Sequence, residues 1–180
     1  GLQFNGILKE RMKALVGHYQ ENGLDKNFKM YNKIILLGNA QDAGRPQLGC
    51  TEKCCEDARR NTDLSRMPVS LGLHGEQFGI VEATRCIGDQ ITLMDNLPIS
   101  EVWLTHAHLG HIEGLGQFGR ESFNSKNVKL RCSDSVVDYV MKHPIWKKLI
   151  ERGNLTFAKF ESDTIVPIEV PHRAQDFDTH

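Results

Sequence analysis

A mixed α/β domain is the fold class that this sequence predicts, and three observations carry the prediction. Short apolar runs suited to strands recur at residues 33–38, 69–73, 78–82, 101–104, 128–132, 155–159 and 165–170. Segments with helical character fall between them, at 56–60, 87–94, 112–118, 136–141 and 144–150. Three histidines, His106, His108 and His111, crowd directly behind the strand Glu101-Val102-Trp103-Leu104. Strands alternating with helices imply a sheet with helices packed on it. The histidines mark one strand end as the place where chemistry gathers.

The length of 180 residues suits one domain with a sizeable core. Its 22 basic and 23 acidic residues are mixed along the chain for a net charge of −1, so charge makes no case for nucleic acid or an anionic membrane. No apolar run approaches the ~18 residues of a membrane span, and the first residues lack the apolar stretch of a signal peptide. The five cysteines are odd in number and two are adjacent, which argues against a secreted disulfide framework and for a reducing, cytoplasmic setting. A small-molecule substrate is the expected partner.

Residues 1–32 form a unit apart from the domain at 33–180. Ile7, Leu8, Met12, Leu15 and Val16 recur at helical spacing, predicting an amphipathic helix from Ile7 to Tyr19, and a polar connector follows to Asn32. The run from Lys33 to Gly38 reads as a buried strand leading into the loop Asn39 to Pro46. Gln41 and Asp42 in that loop are either groups near a functional mouth or residues that merely turn the chain. Cys50, Cys54 and Cys55 are spaced either as ligands of a structural zinc or as reduced thiols, with no fourth ligand evident.

Strands at 69–73 and 78–82 are joined by a polar, glycine-containing turn, so a hairpin is expected and His74 reads as a solvated turn residue. Ile87 to Met94 carries helix periodicity, and Pro98 breaks the chain before the histidine strand. After the cluster, Ile112 to Phe118 reads as a helix despite two glycines that cost it ~1 kcal/mol each. Val128 to Cys132 alternates like a half-buried strand. Ser133 and Ser135 offer an N-cap for Val136 to Met141, and Pro144 opens a second helix, with His143 on the surface between them. Ile145, Trp146 and Leu149 form an apolar cap that either borders a substrate pocket or, as expected, packs in the core. The last two strands lead to Pro171, His172 and Arg173.

The histidine spacing has a physical reading. In an extended segment, side chains two apart share a face, so His106 and His108 can converge on one cation. If Gly110 opens a helix, His111 falls beside that cation on the first turn. Imidazole suits borderline metals such as Zn²⁺, which takes four ligands and leaves one position to water when the site is catalytic.

The stretch from Leu104 to His111 resembles the HxHxDH motif of the metallo-β-lactamase superfamily, with glycine where aspartate usually stands. The stretch from Leu36 to Cys50, together with Val170-Pro171-His172-Arg173 and Asp178-Thr179, resembles the branch of PQQ-biosynthesis B type. The resemblance implies an αββα sandwich, of which this chain holds mostly the N-terminal half, with an incomplete C-terminal half. His172 is then the third ligand of the site that His106 and His108 begin, and His111 holds a second ion or the reactive water. Zinc or iron is implied, one ion rather than two, since Gly110 removes a carboxylate. Glu82 and Asp42 are expected to support the ligands, with Asp178 assisting or fixing its loop, and Arg173 to bind an anionic group.

The function implied is hydrolysis by a metal-activated water, with a phosphodiester or other ester as substrate. An iron-dependent oxygenase or cofactor-biosynthesis enzyme is the alternative, and a catalytically inactive metal-binding remnant is the third. The later aspartate and histidine of the superfamily are missing, so the chain is expected to be a fragment or to be completed in another way. A half sandwich leaves an apolar sheet face open, and a homodimer is expected to cover it.

Overall fold

A computed structural model describes residues 31–75, 78–94, 98–162 and 165–170. The helix expected at 7–19 lies outside the described residues, as do His172, Arg173 and Asp178.

Six strands form one sheet in sequential order: β1 (Lys33–Gly38), β2 (Ser70–His74), β3 (Phe78–Val81), β4 (Ile99–Trp103), β5 (Val128–Arg131) and β6 (Leu155–Ala158). The first three make an antiparallel meander and the last four run parallel. Parallel neighbours need crossover connections, and the helical segments supply them. Helix α1 (Lys53–Arg60) lies between β1 and β2, and α2 (Ile87–Thr92) between β3 and β4. Helix α3 (Leu109–Ile112) and a 3₁₀ segment (Glu113–Phe118) link β4 to β5, and α4 (Asp134–Lys142) and α5 (Pro144–Glu151) link β5 to β6.

Two antiparallel steps restore direction, so β1 runs parallel to β3, β4 and β5. The loops after Gly38, Val81, Trp103 and Arg131 therefore leave from one edge. In open α/β sheets the carboxyl ends of the strands are where ligands bind. The opposite edge carries the β2–β3 hairpin.

Ile80, Val102 and Leu130 stand side by side on one face of the sheet, and all are wholly buried in a cluster with Ile112, Leu115, Phe118, Val136 and Val140. Trp146 and Leu149 join this core as expected, whereas Ile145, expected with them, is exposed. On the other face, Glu101 accepts hydrogen bonds from the Tyr31 hydroxyl, from Arg131 Nε at 2.7 Å and from Trp103 Nε1 at 3.0 Å. Burial works to raise the Glu101 pKa, but these donors outweigh it and hold the carboxyl below its usual range. Ile34 and Leu36 lie on that same face, 68% and 61% exposed, so β1 is not the buried strand its apolar run suggests but an edge strand with one face open.

Three further local expectations need correction. The segment after α3 is 3₁₀ rather than α-helical, because Gly114 is drawn against the β3 loop: its N–H donates to Ala83 O at 2.8 Å, and a Cβ there would meet Thr84 O at 2.0 Å. Residues 165–170 are not a strand, since Pro167 has no N–H for a ladder and Val166, Ile168 and Val170 are exposed. His74 is not a solvated turn residue: it closes β2, lies edge-on to Phe78 with centroids 4.6 Å apart, and its Nδ1 is buried with no hydrogen-bond partner among the described residues.

Candidate metal centre

The site is built from three loops on the carboxyl edge. At the end of β3, Glu82 adopts a left-handed conformation with φ 70°, which a non-glycine residue holds only at a cost of about 1–2 kcal/mol. Neighbouring loops over-determine that turn. Glu82 N donates to Trp103 O at 2.8 Å, and Ala83 N donates to His111 O at 2.8 Å. The Glu82 side chain is buried, and its carboxylate accepts the Thr105 hydroxyl at 2.5 Å and, weakly, Thr105 N at 3.4 Å.

Thr105 passes this order on to the first histidine. Its Oγ1 lies 2.8 Å from His106 Nδ1, and its single hydroxyl proton is already committed to Glu82. His106 Nδ1 must therefore carry the proton that Oγ1 accepts, which leaves a lone pair on Nε2. That lone pair faces His108 Nδ1 at 3.0 Å. Carboxylate, hydroxyl and imidazole form one relay that selects a tautomer and aims it.

The backbone stays extended through His108 (φ −60°, ψ 141°), which caps α3, and His111 follows on the first turn with its N–H on His108 O at 2.9 Å. The His111 ring lies 4.2 Å from that of His106, centroid to centroid. Its Nε2 is 3.3 Å from Asp42 Oδ1. Its Nδ1 is 3.5 Å from Glu82 Oε1, near enough for Coulomb attraction yet outside hydrogen-bond geometry, so this buried nitrogen is left without a hydrogen bond among the described residues. Burial pulls the His111 pKa down, but Glu82 and Asp42 together raise it above the ordinary value.

These donors fit a borderline cation. Zn–N and Zn–O bonds of about 2.0–2.1 Å set tetrahedral ligand-to-ligand edges of about 3.3 Å. The His106–His108 and His111–Asp42 separations of 3.0 and 3.3 Å are of that size. Glu82, His106 and His111 each offer a ligand atom within 4.8 Å of the others, and this is the one such trio among the described residues. The thiols of Cys50 and Cys54 each lie within hydrogen-bond reach of Cys55, but the three sulfurs do not all come within 4.8 Å of one another. Cys54 is exposed and Cys55 buried on adjacent faces of α1, with Cys50 half-buried. The Gln47 N–H, 3.4 Å from Cys55 Sγ, is the chief cause of a lowered Cys55 pKa.

The structure thus brings together His106, His108, His111, Glu82 and Asp42, and leaves Cys50, Cys54 and Cys55 apart from them. Sequence reasoning missed Thr105. The signal available was a hydroxyl immediately before the first histidine, a placement with no spacing of its own to flag it.

No family model and no curated protein sequence matches the chain. Solved structures do. Zn²⁺-bound PqqB from Methylobacterium extorquens aligns at TM-score 0.60 and 18% identity, over 70% of this chain and 45% of that one. A diphosphatase of the PhnP family aligns at 0.56 and 18%, over 70% and 49%. The metallo-beta-lactamase fold protein YhfI from Bacillus subtilis aligns at 0.46 and 16%, over 75% and 49%. The chain has the metallo-β-lactamase fold, as the histidine motif implied. PqqB and the PhnP-family diphosphatase are among the solved structures to which it is similar, and it spans about half their length.

Proposed function

We propose that this chain is the metal-bearing part of a metal-dependent hydrolase acting on a phosphodiester or other ester. The observation that carries the reading is the pair His106 Nε2 and His108 Nδ1, 3.0 Å apart at the carboxyl end of β4 with the His106 tautomer already selected. In this reading His106, His108 and His172 hold one zinc or iron ion. When bound, such an ion supplies a water whose pKa falls to about 7, a hydroxide source near neutral pH. The chain's own residues prepare that site: Glu82 and Thr105 keep the proton on His106 Nδ1, and His111, facing Asp42 and Glu82, is placed to hold a proton or a second ion. Arg173 takes an anionic group of the substrate.

A diphosphatase among the similar structures supports phosphorus as the reacting centre. The likeness to PqqB favours a second reading, a cofactor-biosynthesis enzyme, and zinc in that structure favours zinc here over iron. We further propose a second copy of the chain over the exposed Ile34 and Leu36, which the mass in solution tests, and a reducing compartment suited to the free thiols. Among the described residues no helix is long and apolar enough to cross a membrane.

Elemental analysis and hydrolysis of a chromogenic phosphodiester test the main reading. At least one zinc per chain, with one ion lost in His106→Ala with His108→Ala and none lost in His143→Ala, is the expected result. His143 is a fair control because it packs against Tyr139 and Trp146 between α4 and α5. Metal content unchanged in the double variant refutes the site.

A further inference from the structure

Gly110 stands where no side chain fits. A Cβ built there would lie 2.3 Å from Asp42 Cβ and 2.5 Å from its Cγ, with Oδ2 at 2.9 Å. The space beside the histidines is filled by a carboxylate from another loop, whose Oδ1 faces His111 Nε2 at 3.3 Å. A half-exposed aspartate has solvent to turn to, so its inward placement calls for a cause.

The loop is built to hold it there. Ala40 N donates to Met67 O at 3.0 Å and Val69 N to Ala40 O at 2.9 Å, and Arg45 and Arg66 exchange two backbone hydrogen bonds of 2.8 Å. Gly44 N closes the turn on Gln41 O at 2.7 Å, and its φ of 69° is the conformation that glycine adopts without strain. Asp42 lies between these two anchors. On the other side, His111 is 12% exposed, and its ring is fixed in direction, with Nε2 turned to Asp42 and Nδ1 turned to Glu82 at 3.5 Å.

We propose that Asp42 is a direct metal ligand, sharing with His111 Nε2 a second cation beside the one assigned to His106 and His108, and that Gly110 is glycine in order to admit it. The inference rests on the metal-site reading above and extends it. One carboxylate and one imidazole form a donor pair suited to a divalent transition metal such as zinc, with water completing the shell. The carboxylate that the histidine motif lacks at position 110 is supplied across space from the loop after β1.

Zinc titration of the whole chain against a chromophoric chelator tests this, with circular dichroism as the check on folding. The wild type is expected to take up two zinc ions. Asp42→Asn, which keeps the shape and removes the charge, keeps the first ion and binds the second at least ~10-fold more weakly, the minimum for disturbing even a ligand's partner. The swap Asp42→Gly with Gly110→Asp returns the carboxylate from the other side and recovers the second ion. Gly110→Asp alone puts two side chains in one space and lowers the melting temperature. One ion in the wild type, bound equally by Asp42→Asn, overturns the inference and leaves the first site standing. No zinc in the wild type overturns the underlying reading and the inference with it.

Discussion

Replacing Thr105 by valine isolates the relay between Glu82 and His106 from every other feature of the site. Valine keeps the branched shape and deletes one oxygen, which makes the 2.5 Å bond to Glu82 and the 2.8 Å bond to His106. Hydrogen bonds to charged groups are worth about 1.5–3 kcal/mol, and Thr105 is solvent-accessible, so the lower end applies, about 1.5 kcal/mol. For a chain of this size that is a fall of about 3–6 °C in melting temperature. The larger effect is on His106, whose Nδ1 loses the acceptor that selects its tautomer. Outer partners of metal-binding histidines are worth about 10–100-fold in affinity, and zinc competition should register a loss in that range. Nitrogen chemical shifts of the metal-free protein should report the Nδ1–H form of His106 in the wild type and a tautomer mixture in the variant. Thr105→Ser restores the oxygen and should recover both. Zinc affinity within about twofold of wild type, with the tautomer unchanged, would refute the relay.

Gly114→Ala should be the most damaging single methyl near the site: its Cβ would sit 2.0 Å from Thr84 O and 2.7 Å from Ala83 O, both backbone atoms that cannot rotate away. A loss of about 3 kcal/mol, the upper end for overpacking, is expected in urea unfolding. Glu101→Gln tests the second face of the sheet through pH. Because the folded Glu101 pKa lies below its ordinary value of 4.5, the native state binds fewer protons there. Its contribution is therefore complete above about pH 4.5 and fades as pH falls through the lower folded value, so the stability gap between wild type and variant should close on acidification. Metal removal should leave the fold intact, since β3, β4 and α3 are tied by backbone bonds from Glu82 N, Ala83 N and Gly114 N that need no ion. A chelator should leave the far-ultraviolet circular dichroism unchanged and lower the melting temperature only as far as mass action allows. Collapse of the spectrum would mean that the ion, rather than the backbone, assembles the site.

The legible part of this protein is the part whose cause is local. Lys33–Gly38 and Val128–Arg131 are strands because β-branched and aliphatic residues dominate them, and Pro144 opens α5 because its missing N–H costs nothing at a first turn. His106 and His108 converge through the period of two of an extended chain, which spacing alone reveals. Where the cause is a contact between distant segments, local reading stops short. The run 112–118 has helical spacing, yet Gly114 must approach the Ala83 and Thr84 carbonyls, and that demand tightens the backbone into a 3₁₀ path. Residues 165–170 alternate like a strand, and the one residue that forbids a ladder, Pro167, sits in the middle of the run. Gly110 is the sharpest instance. Read in one dimension, a motif with glycine in place of aspartate has lost a charge. In three dimensions the same glycine is the hole into which Asp42 fits, and the two positions carry one carboxylate between them. What joins them is the direction of β1, turned parallel to β4 by two antiparallel steps, so that the loop after the first strand and the loop after the fourth meet on one edge. A ligand set distributed over a sheet edge is defined by its shape, and only the topology tells which distant residue completes it.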